Sequence, residues 1–421
     1  MKYQFLPKEK LPRIPELPDP FLRQDGSRVC SVKEWEEQRT YLKEMLAHYL
    51  YGHMPEESGE TKGEVIFSRP VYHGKAVAEN VRITAGRKGE ITFDAELIRP
   101  VGEGRVPVFT WNQFTGRHGC PEEEELVVNR GYAIMEFDKA QLAPDNGNAV
   151  RGQAALAFPE CDWGAVAMWA WGQSRLVDYL LTTEWADPDR LIATGHSRGG
   201  KTALCAAIYD DRFALCAPNG SGCGGAGCFR FLGGRLGEGT GVCETAGSIN
   251  DEWGYWWSDH FGEFGERRWT YTRSTFPTPE EKRKLDAEME RATVGKTKDE
   301  DRLPFDMHFA RALIAPRAVI SMDALGDTWA NTYGTQVVWR AAQEVFRFLG
   351  VPQNNAMHFR DGKHEFQGKD WLVLADYCDE IFRNGCPNEN IICYRADTQT
   401  DMMRRMGWED DGLHRPWSAP E

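Results

Sequence analysis

The sequence predicts an α/β fold, a three-layer sandwich whose mostly parallel central sheet follows an antiparallel meander near the N-terminus. Continuous apolar runs such as Val106–Trp111 and Tyr132–Phe137 are typical of parallel strands that are buried on both faces. Helical patterns alternate with these runs and no linker-like segment separates them, which is the order of elements in a doubly wound sheet. We therefore expect residues 1–421 to form one domain.

The N-terminal part of the chain predicts an arm, a helix and the meander, in that order. Residues 1–30 are rich in proline and predict an extended arm laid over the domain. Ser31 and Glu34 form a capping-box pattern that begins a helix, and the apolar face of this helix continues to residue 50. Alternating apolar and polar residues then predict antiparallel strands at Val65–Phe67, Val77–Ile83 and Ile91–Ile98.

The remaining elements belong to the parallel sheet and to a long insertion. A helix is predicted over Trp163–Leu181, and further strands at Leu191–Thr194, Ala214–Ala217, Ala318–Met322 and Ala356–Phe359. Residues 219–305 are rich in Gly and Trp and predict an insertion at the carboxyl edge of the sheet, where such folds place their sites. Within it, residues 280–302 predict a charged, solvated helix.

The composition is that of a globular protein and excludes several classes of function. Hydrophobic residues make up 41% and charged residues 27% of the 421 positions, which excludes wholesale disorder. The formal charge of −14 argues against nucleic acid as a partner, because phosphate binding needs clustered Lys and Arg. The 11 cysteines are scattered without a C-x-x-C pair, so we expect no zinc site, and no other metal or cofactor is expected.

The sequence also gives expectations about the cellular location and the oligomeric state of the protein. No apolar run is long enough to cross a membrane, and the first residues lack the apolar segment of a secretory signal. The sequence as written therefore predicts a cytoplasmic protein, or a secreted one if a signal peptide has been trimmed. We expect a monomer without a membrane partner.

A tight turn in the middle of the chain predicts a nucleophile. Gly195–Gly199 matches the G-x-S-x-G nucleophile elbow, whose glycines permit a sharp turn that exposes the serine hydroxyl. The apolar run Leu191–Ala193 precedes this turn, and an apolar helical pattern that includes Ala203 and Leu204 follows it. This strand–turn–helix setting predicts an α/β-hydrolase fold with Ser197 as the nucleophile.

A serine nucleophile needs an acid and a base, which follow it in that chain order in this fold. His364 lies in a polar loop just past the strand Ala356–Phe359, as a base should, whereas His308 fits a helix-capping or core role. Two acids, Asp323 and Asp327, follow the preceding strand. Asp327 lies deeper in the loop, from which a carboxylate can reach the imidazole, so Asp327 is favoured as the triad acid. Asp323 remains the alternative.

The oxyanion that forms during acyl transfer needs hydrogen-bond donors. The backbone N–H of Arg198 is one candidate, and a second donor is expected near Asn112-Gln113, after an early strand. The competing interpretation is a surface serine with unrelated loop residues, which the ordered placement of these elements on successive strands disfavours.

Several motifs, in the same order, are shared with a known family. They are Leu17-Pro-Asp-Pro20, Tyr51-Gly52, Trp169-Ala-Trp-Gly172, Gly195-His-Ser-Arg-Gly-Gly-Lys201, Ser221-Gly-Cys-Gly-Gly225, Leu313-Ile-Ala-Pro-Arg317 and Gly362-Lys-His364. Through them the chain resembles, over nearly its whole length, the bacterial glucuronoyl esterases of carbohydrate esterase family 15. An elbow with Arg directly after the nucleophile and Lys four positions beyond it is the distinctive form of that family.

The resemblance implies hydrolysis of the ester that joins a glucuronic acid on xylan, often 4-O-methylated, to a lignin alcohol. It implies that the Arg198 guanidinium aids the oxyanion and that Lys201 hydrogen-bonds sugar hydroxyls. It also implies that Glu244 and Trp329 bind the uronosyl ring. The expected partner is a glucuronate ester or a saccharide derived from glucuronoxylan, and a cytoplasmic location would favour small uronate esters.

One position departs from the family pattern. Many members carry the triad acid as Glu soon after the nucleophile, where this chain has Gly220. The resemblance therefore implies an acid from the later loop, in agreement with Asp327. Two alternatives remain: an esterase that deacetylates xylan or xylo-oligosaccharides with the same triad, and a carbohydrate-binding homologue that has lost catalysis.

Overall fold

The computed structural model describes residues 3–112, 120–231, 243–264, 299–327, 329–384, 394–395 and 415–420. They build a ten-stranded sheet with one hydrophobic cluster on each face. The predicted α/β sandwich is confirmed, because helices cover both clusters.

The strands run from the meander into the parallel sheet. In chain order they are β1 (Lys62–Val71), β2 (Ala76–Ala85), β3 (Ile91–Pro100), β4 (Val106–Trp111), β5 (Ala133–Phe137), β6 (Ala186–His196), β7 (Phe213–Asn219), β8 (Ala318–Ala324), β9 (Asn355–Arg360) and β10 (Tyr394–Arg395). Their order across the sheet is β1-β2-β3-β5-β4-β6-β7-β8-β9-β10. The pairs from β1 to β5 are antiparallel, those from β5 to β9 are parallel, and β10 pairs antiparallel with β9.

The helices fill the connections between these strands. They are α1 (Val32–Leu46), α2 (Pro121–Asn129), α3 (Gln153–Ala157), α4 (Ala165–Leu180), α5 (Arg198–Tyr209), α6 (Ala246–Trp253), α7 (Met307–Ala312), α8 (Thr332–Phe348) and α9 (Gly368–Asn384). The predicted start of α1 is confirmed, since the Ser31 side chain accepts from the Glu34 N–H. The Glu34 carboxylate accepts from the Cys30 N–H, one residue before the position that a capping box uses.

Strand β1 is longer than the sequence predicts. The prediction covered only Val65–Phe67, whereas the strand spans Lys62–Val71. The strand lies at the sheet edge and is exposed along almost its whole length. An exposed edge strand needs no alternation of apolar residues, so its ends leave no periodic signal.

Residues of the proline-rich arm pack into the hydrophobic core. Leu11, Leu17 and Phe21 are buried in the cluster that also contains helix α4. His308 in α7 is fully buried and its Nε2 donates to the Pro18 carbonyl oxygen at 2.8 Å. The core role predicted for His308 is confirmed, and it ties the arm to the domain.

The predicted insertion follows β7 at the carboxyl edge of the parallel strands. Its described parts are residues 219–231, 243–264 and 299–305, which include helix α6. Residues 280–298, most of the predicted charged helix, lie outside the described residues. Glu300–Arg302 forms a 3-10 turn.

Candidate active site

Ser197 stands on a strained turn between β6 and α5. Its φ of 55° and ψ of −124° are rare for a residue with a side chain, and such strain collects at functional sites. A Cβ atom on Gly195 would lie 2.3 Å from the Gly199 carbonyl oxygen, and one on Gly199 would lie 2.6 Å from Asn112 Oδ1. Both glycines of the motif are therefore required, because a side chain at either position would collide with neighbouring atoms of the turn.

Buried polar groups hold this turn in place. The Ser197 N–H donates to the Asn219 carbonyl at 2.9 Å. The Asn112 amide donates to the Gly199 carbonyl at 3.0 Å and to Gln173 Oε1 at 2.9 Å. The Asn112 side chain therefore supports the elbow. Gln113, beside which a second oxyanion donor was predicted, lies outside the described residues.

The structure brings Ser197, His364 and Asp327 into one hydrogen-bonded chain. His364 Nε2 lies 2.8 Å from Ser197 Oγ, and His364 Nδ1 lies 2.7 Å from Asp327 Oδ2. Asp327 is 3% exposed, and its Oδ1 accepts from the Ala330 N–H at 3.1 Å. A carboxylate can only accept here, so it fixes the proton on Nδ1 and leaves Nε2 to accept from the serine hydroxyl.

Asp323, the alternative acid, occupies a different position. It lies within β8, is fully buried, and accepts from the Gly220 N–H at 3.0 Å. Burial raises the pKa of Asp323 to about 7, and the charge of Asp327 adds to this rise. Of the two acids that the sequence left open, Asp327 is the one that reaches His364.

A second imidazole lies beside the triad. The rings of His196 and His364 are 4.8 Å apart between centroids. His196 Nδ1 donates to Asn219 Oδ1 at 2.5 Å. Burial lowers the pKa of His196 to about 4, and repulsion from His364 contributes. His196 is therefore neutral near pH 7 and adds no positive charge next to the base.

Gly220 faces the same cluster. Its φ is 48°, and a Cβ atom there would lie 3.1 Å from His196 Cε1 and 3.6 Å from Asp327 Oδ2. The position where many family members carry Glu thus points toward Asp327. In this chain His196 and Asp327 fill that space.

Arg198 is held by an acid and two indoles. Its Nη1 lies 2.9 Å from Asp145 Oδ2, and its guanidinium lies 5.0 Å from the Trp256 ring centroid and 5.6 Å from that of Trp253. Because Arg198 is the first residue of α5, its backbone N–H has no acceptor within the helix. The backbone donor assigned to Arg198 is therefore free of helix partners directly after Ser197, and the role of the guanidinium stays a prediction.

Lys201 donates hydrogen bonds to three groups of the protein. Its Nζ donates to the carbonyl oxygens of Ser221 and Cys223, both at 2.7 Å, and to Glu244 Oε2 at 2.8 Å. An ammonium has three N–H donors, and all three are directed to the protein. In this arrangement Lys201 holds Glu244 and the 221–223 loop, and its contact with sugar hydroxyls stays a prediction.

Glu244 keeps one oxygen for other partners. Its Oε2 accepts from Lys201 and from the Cys223 N–H, whereas its Oε1 has no hydrogen-bond partner within the described part of the chain. The Glu244 N–H donates to the Trp329 carbonyl at 3.0 Å. The two residues predicted to bind the uronosyl ring are thus neighbours.

Tryptophans of the insertion build one wall of the site. The rings of Trp253 and Trp256 stack at 4.7 Å with an interplanar angle of 6°, and Trp329 meets Trp253 edge-on at 6.3 Å. Trp256 and Trp257 are buried, while Trp253 and Trp329 are partly exposed. The insertion therefore both packs against the domain and lines the site.

Some residues of the site gave no sequence signal. Asp145 stands in a loop after β5, far from the elbow in sequence, and no motif marks it. The neutral state of His196 depends on burial, which a single sequence does not report. Only its place after a strand marks Asn112 in the sequence.

The described residues include neither a metal-binding cluster nor a membrane-spanning helix. No group of three or more His, Cys, Asp or Glu side chains in that part of the chain is arranged to hold a metal ion. None of the helices described is both long and apolar enough to cross a membrane.

Comparison with known proteins identifies the family. The family profile described as "Glucuronyl esterase, fungi" matches residues 81–277 and 280–350. The chain belongs to the glucuronyl esterase family. This esterase is a carboxylic ester hydrolase with an α/β-hydrolase fold, as the sequence predicted.

Bacterial and fungal relatives agree with this assignment. The chain is 28% identical over 434 residues to carbohydrate esterase MZ0003 from an unknown prokaryotic organism, covering 88% of this chain and 90% of that protein. It is 28% identical over 344 residues to the 4-O-methyl-glucuronoyl methylesterase of Schizophyllum commune, covering 80% of this chain and 75% of that protein.

Solved structures share the fold over nearly the full chain. A glucuronoyl esterase of carbohydrate esterase family 15 from Caldicellulosiruptor kristjansonii superposes with a TM-score of 0.73 at 26% identity, covering 98% of this chain and 99% of that one. A Ser-to-Ala variant of the Sporotrichum thermophile glucuronoyl esterase, solved with methyl 4-O-methyl-β-D-glucopyranuronate, has a TM-score of 0.68 at 22% identity. It covers 96% of both chains, and at this identity it shows the fold alone.

Proposed function

We propose that this esterase hydrolyses esters of glucuronic acid or 4-O-methyl-glucuronic acid, with Ser197 as nucleophile, His364 as base and Asp327 as the acid that orients it. The single observation that supports this most is the hydrogen-bonded chain from Ser197 Oγ through His364 to Asp327 on a strained elbow. Membership in the glucuronyl esterase family supports the uronate as the acyl group.

The reaction proceeds by two acyl transfers. His364 Nε2 takes the proton of Ser197 Oγ as the oxygen attacks the ester carbonyl. The resulting imidazolium gives that proton to the departing alcohol, which leaves an acyl-enzyme. Water then attacks the acyl-enzyme with His364 again as base, and the uronic acid is released as Ser197 regains its proton.

Arg198 stabilises the negative charge of the tetrahedral intermediate. Its backbone N–H begins the helix directly after the nucleophile, its guanidinium is the second donor that the family resemblance implies, and preorganised donors of this kind contribute strongly to stabilising a developing charge. The guanidinium also attracts the carboxylate of the released uronic acid, so we expect product inhibition.

Glu244 and Trp329 bind the sugar. Glu244 Oε1 is the acceptor for ring hydroxyls, and Lys201 sets the orientation of that carboxylate through the 2.8 Å contact with its other oxygen. Trp329 offers a partly exposed aromatic face beside them, which suits the apolar face of a sugar ring.

The test compares two classes of ester. Initial rates are measured with benzyl glucuronate, methyl glucuronate and an acetylated xylo-oligosaccharide, with Ser197→Ala as the control for background hydrolysis. We expect kcat/KM to be highest for the glucuronate esters. A preference for the acetylated oligosaccharide would reject the proposal in favour of a deacetylase, and no turnover of any ester would favour the carbohydrate-binding alternative. The size of the natural substrate follows from comparing small uronate esters with polymeric xylan.

A further inference from the structure

We propose that Asp145 is a positioning residue for catalysis, which holds the guanidinium of Arg198, the residue that directly follows the nucleophile Ser197. Asp145 follows the 3-10 turn Lys139–Gln141 that continues β5, so it reaches the elbow from a separate part of the fold. The proposal depends on the proposed function only in that Arg198 serves the oxyanion.

The Asp145 carboxylate is buried and has both of its oxygens occupied. The side chain is 1% exposed. Oδ2 accepts from Arg198 Nη1 at 2.9 Å, and Oδ1 accepts from the Tyr255 hydroxyl and from Trp256 Nε1, each at 2.9 Å. These three donors fix the carboxylate itself, so that it can act as a rigid anchor for the guanidinium.

A second contact restrains the guanidinium. Arg198 lies over the Trp256 ring, and Trp256 is the residue whose indole N–H donates to Asp145. Trp253 stacks on Trp256 and its ring centroid lies 5.6 Å from the same guanidinium. Cation–π contact and the ion pair therefore restrain the same side chain from two directions.

This restraint has a physical purpose, because the Arg198 side chain is 34% exposed. A free arginine carries about 2 kcal/mol of rotamer entropy, which would be lost whenever it had to order around a transient oxyanion. A guanidinium that is already ordered stabilises the developing charge without reorganisation at the moment of reaction.

The local charge balance also depends on Asp145. Lys139 is 1% exposed and its Nζ lies 5.2 Å from the Trp169 ring centroid. Burial lowers the pKa of Lys139 to about 8, and attraction to Asp145 limits the fall. Asp145 thus offsets the positive charges of Arg198 and Lys139.

The test is a double-mutant cycle with Asp145→Asn and Arg198→Ala. The amide of Asn keeps an oxygen that can accept from Tyr255 and Trp256 but removes the charge that holds Arg198. We expect Asp145→Asn to lower kcat roughly tenfold, less than the roughly hundredfold loss expected when an oxyanion group is removed. KM should change by less than about threefold, and in the Arg198→Ala background Asp145→Asn should have almost no further effect.

Asp379→Asn is the matched control. Asp379 pairs with Arg130 Nη2 at 2.6 Å and accepts from the Tyr132 hydroxyl at 2.7 Å, which reproduces the Arg and Tyr partners of Asp145 away from the elbow. We expect Asp379→Asn to change thermal stability but not kcat.

Every rate is measured on methyl glucuronate and on 4-nitrophenyl acetate, which needs the nucleophile and oxyanion donors but no sugar contacts. If the glucuronate proposal were wrong, the acetate rates would still report on Asp145. Unchanged kcat in folded Asp145→Asn, or losses that multiply in the double variant, would overturn the role of Asp145. Should Asp145→Asn fail to fold, Asp145→Glu keeps the charge and displaces it by one methylene, and full activity in that variant would overturn the proposal.

Discussion

His364 Nδ1 lies 2.7 Å from Asp327 Oδ2, so the imidazole is oriented by a carboxylate from the loop after β8. The position after β7, where many family members carry Glu, is a glycine in this chain. The two acids of the β8 region therefore have separate tasks, which can be distinguished by experiment.

Asp327→Asn should lower kcat by roughly three to four orders of magnitude, because an amide can donate to Nδ1 and so stabilises the wrong tautomer. Asp323→Asn should leave kcat within about threefold, since Asp323 contacts the Gly220 N–H and an Asn carbonyl can accept the same hydrogen bond. Steady-state kinetics on a glucuronate ester compare the two. A loss confined to Asp323→Asn would transfer the acid role to Asp323.

Asp323 should also make stability depend on pH. Its pKa is about 7 in the folded protein and near 3.8 when unfolded, so between these values the native state binds more protons. The stability that protonated Asp323 contributes is full below pH 4 and is lost as the pH rises to about 7. Asp323→Asn removes this titration, so its stability relative to wild type should rise over that range.

The free energy of unfolding of Asp323→Asn can rise relative to wild type by at most on the order of 4 kcal/mol, since each pKa unit corresponds to about 1.4 kcal/mol. Urea unfolding at several pH values between 4 and 8 measures the difference between the two proteins. A difference that does not vary with pH would show that Asp323 does not titrate in this range.

Gly220→Glu is a test of the vacant acid position. The sequence alone predicts that it partly rescues Asp327→Asn, because Glu would stand where many relatives carry their acid. The structure revises this to a weak rescue at best, since a Cβ atom would lie 3.1 Å from His196 Cε1 and the φ of 48° is unfavourable.

We expect Gly220→Glu to cost about 1–3 kcal/mol of stability and to leave Asp327→Asn slow. Unfolding curves and kcat of the double variant are the measurements. Recovery to within tenfold of wild-type kcat would mean that His196 moves aside readily.

Lys201 and Glu244 should respond differently to substitution. Lys201→Met leaves the Glu244 carboxylate and two carbonyl oxygens without their buried donor, so it should cost about 3–5 kcal/mol of stability. Glu244→Gln keeps a polar group at the site and should fold, with a KM for methyl glucuronate raised about tenfold or more through the lost charged acceptor. Thermal unfolding and steady-state kinetics separate the two effects. Normal stability in Lys201→Met would contradict the positioning role.

The elements that the sequence predicted well are those whose signal is local. The elbow at Ser197 is encoded by glycines that a tight turn requires, and the apolar runs of the parallel sheet follow from burial on both faces. The places of Asp327 and His364 follow from chain order once the strands are known.

The features that escaped prediction depend on tertiary contacts. The contact of Lys201 with the 221–223 loop cannot be read from its place in a helix, and the sugar contact that the resemblance implies for Lys201 stays a prediction. Asp145 reaches Arg198 only because β5 and α5 meet at one edge of the sheet. The ends of β1 were missed because an exposed edge strand has no periodic apolar pattern.

Turnover of methyl glucuronate by Ser197→Ala, with folding checked by circular dichroism, decides whether Ser197 is the nucleophile. We expect kcat to fall by roughly a thousandfold or more, since removal of a triad nucleophile leaves only binding and oxyanion contributions. Wild-type turnover in this variant would contradict this expectation, because the nucleophile would then lie elsewhere.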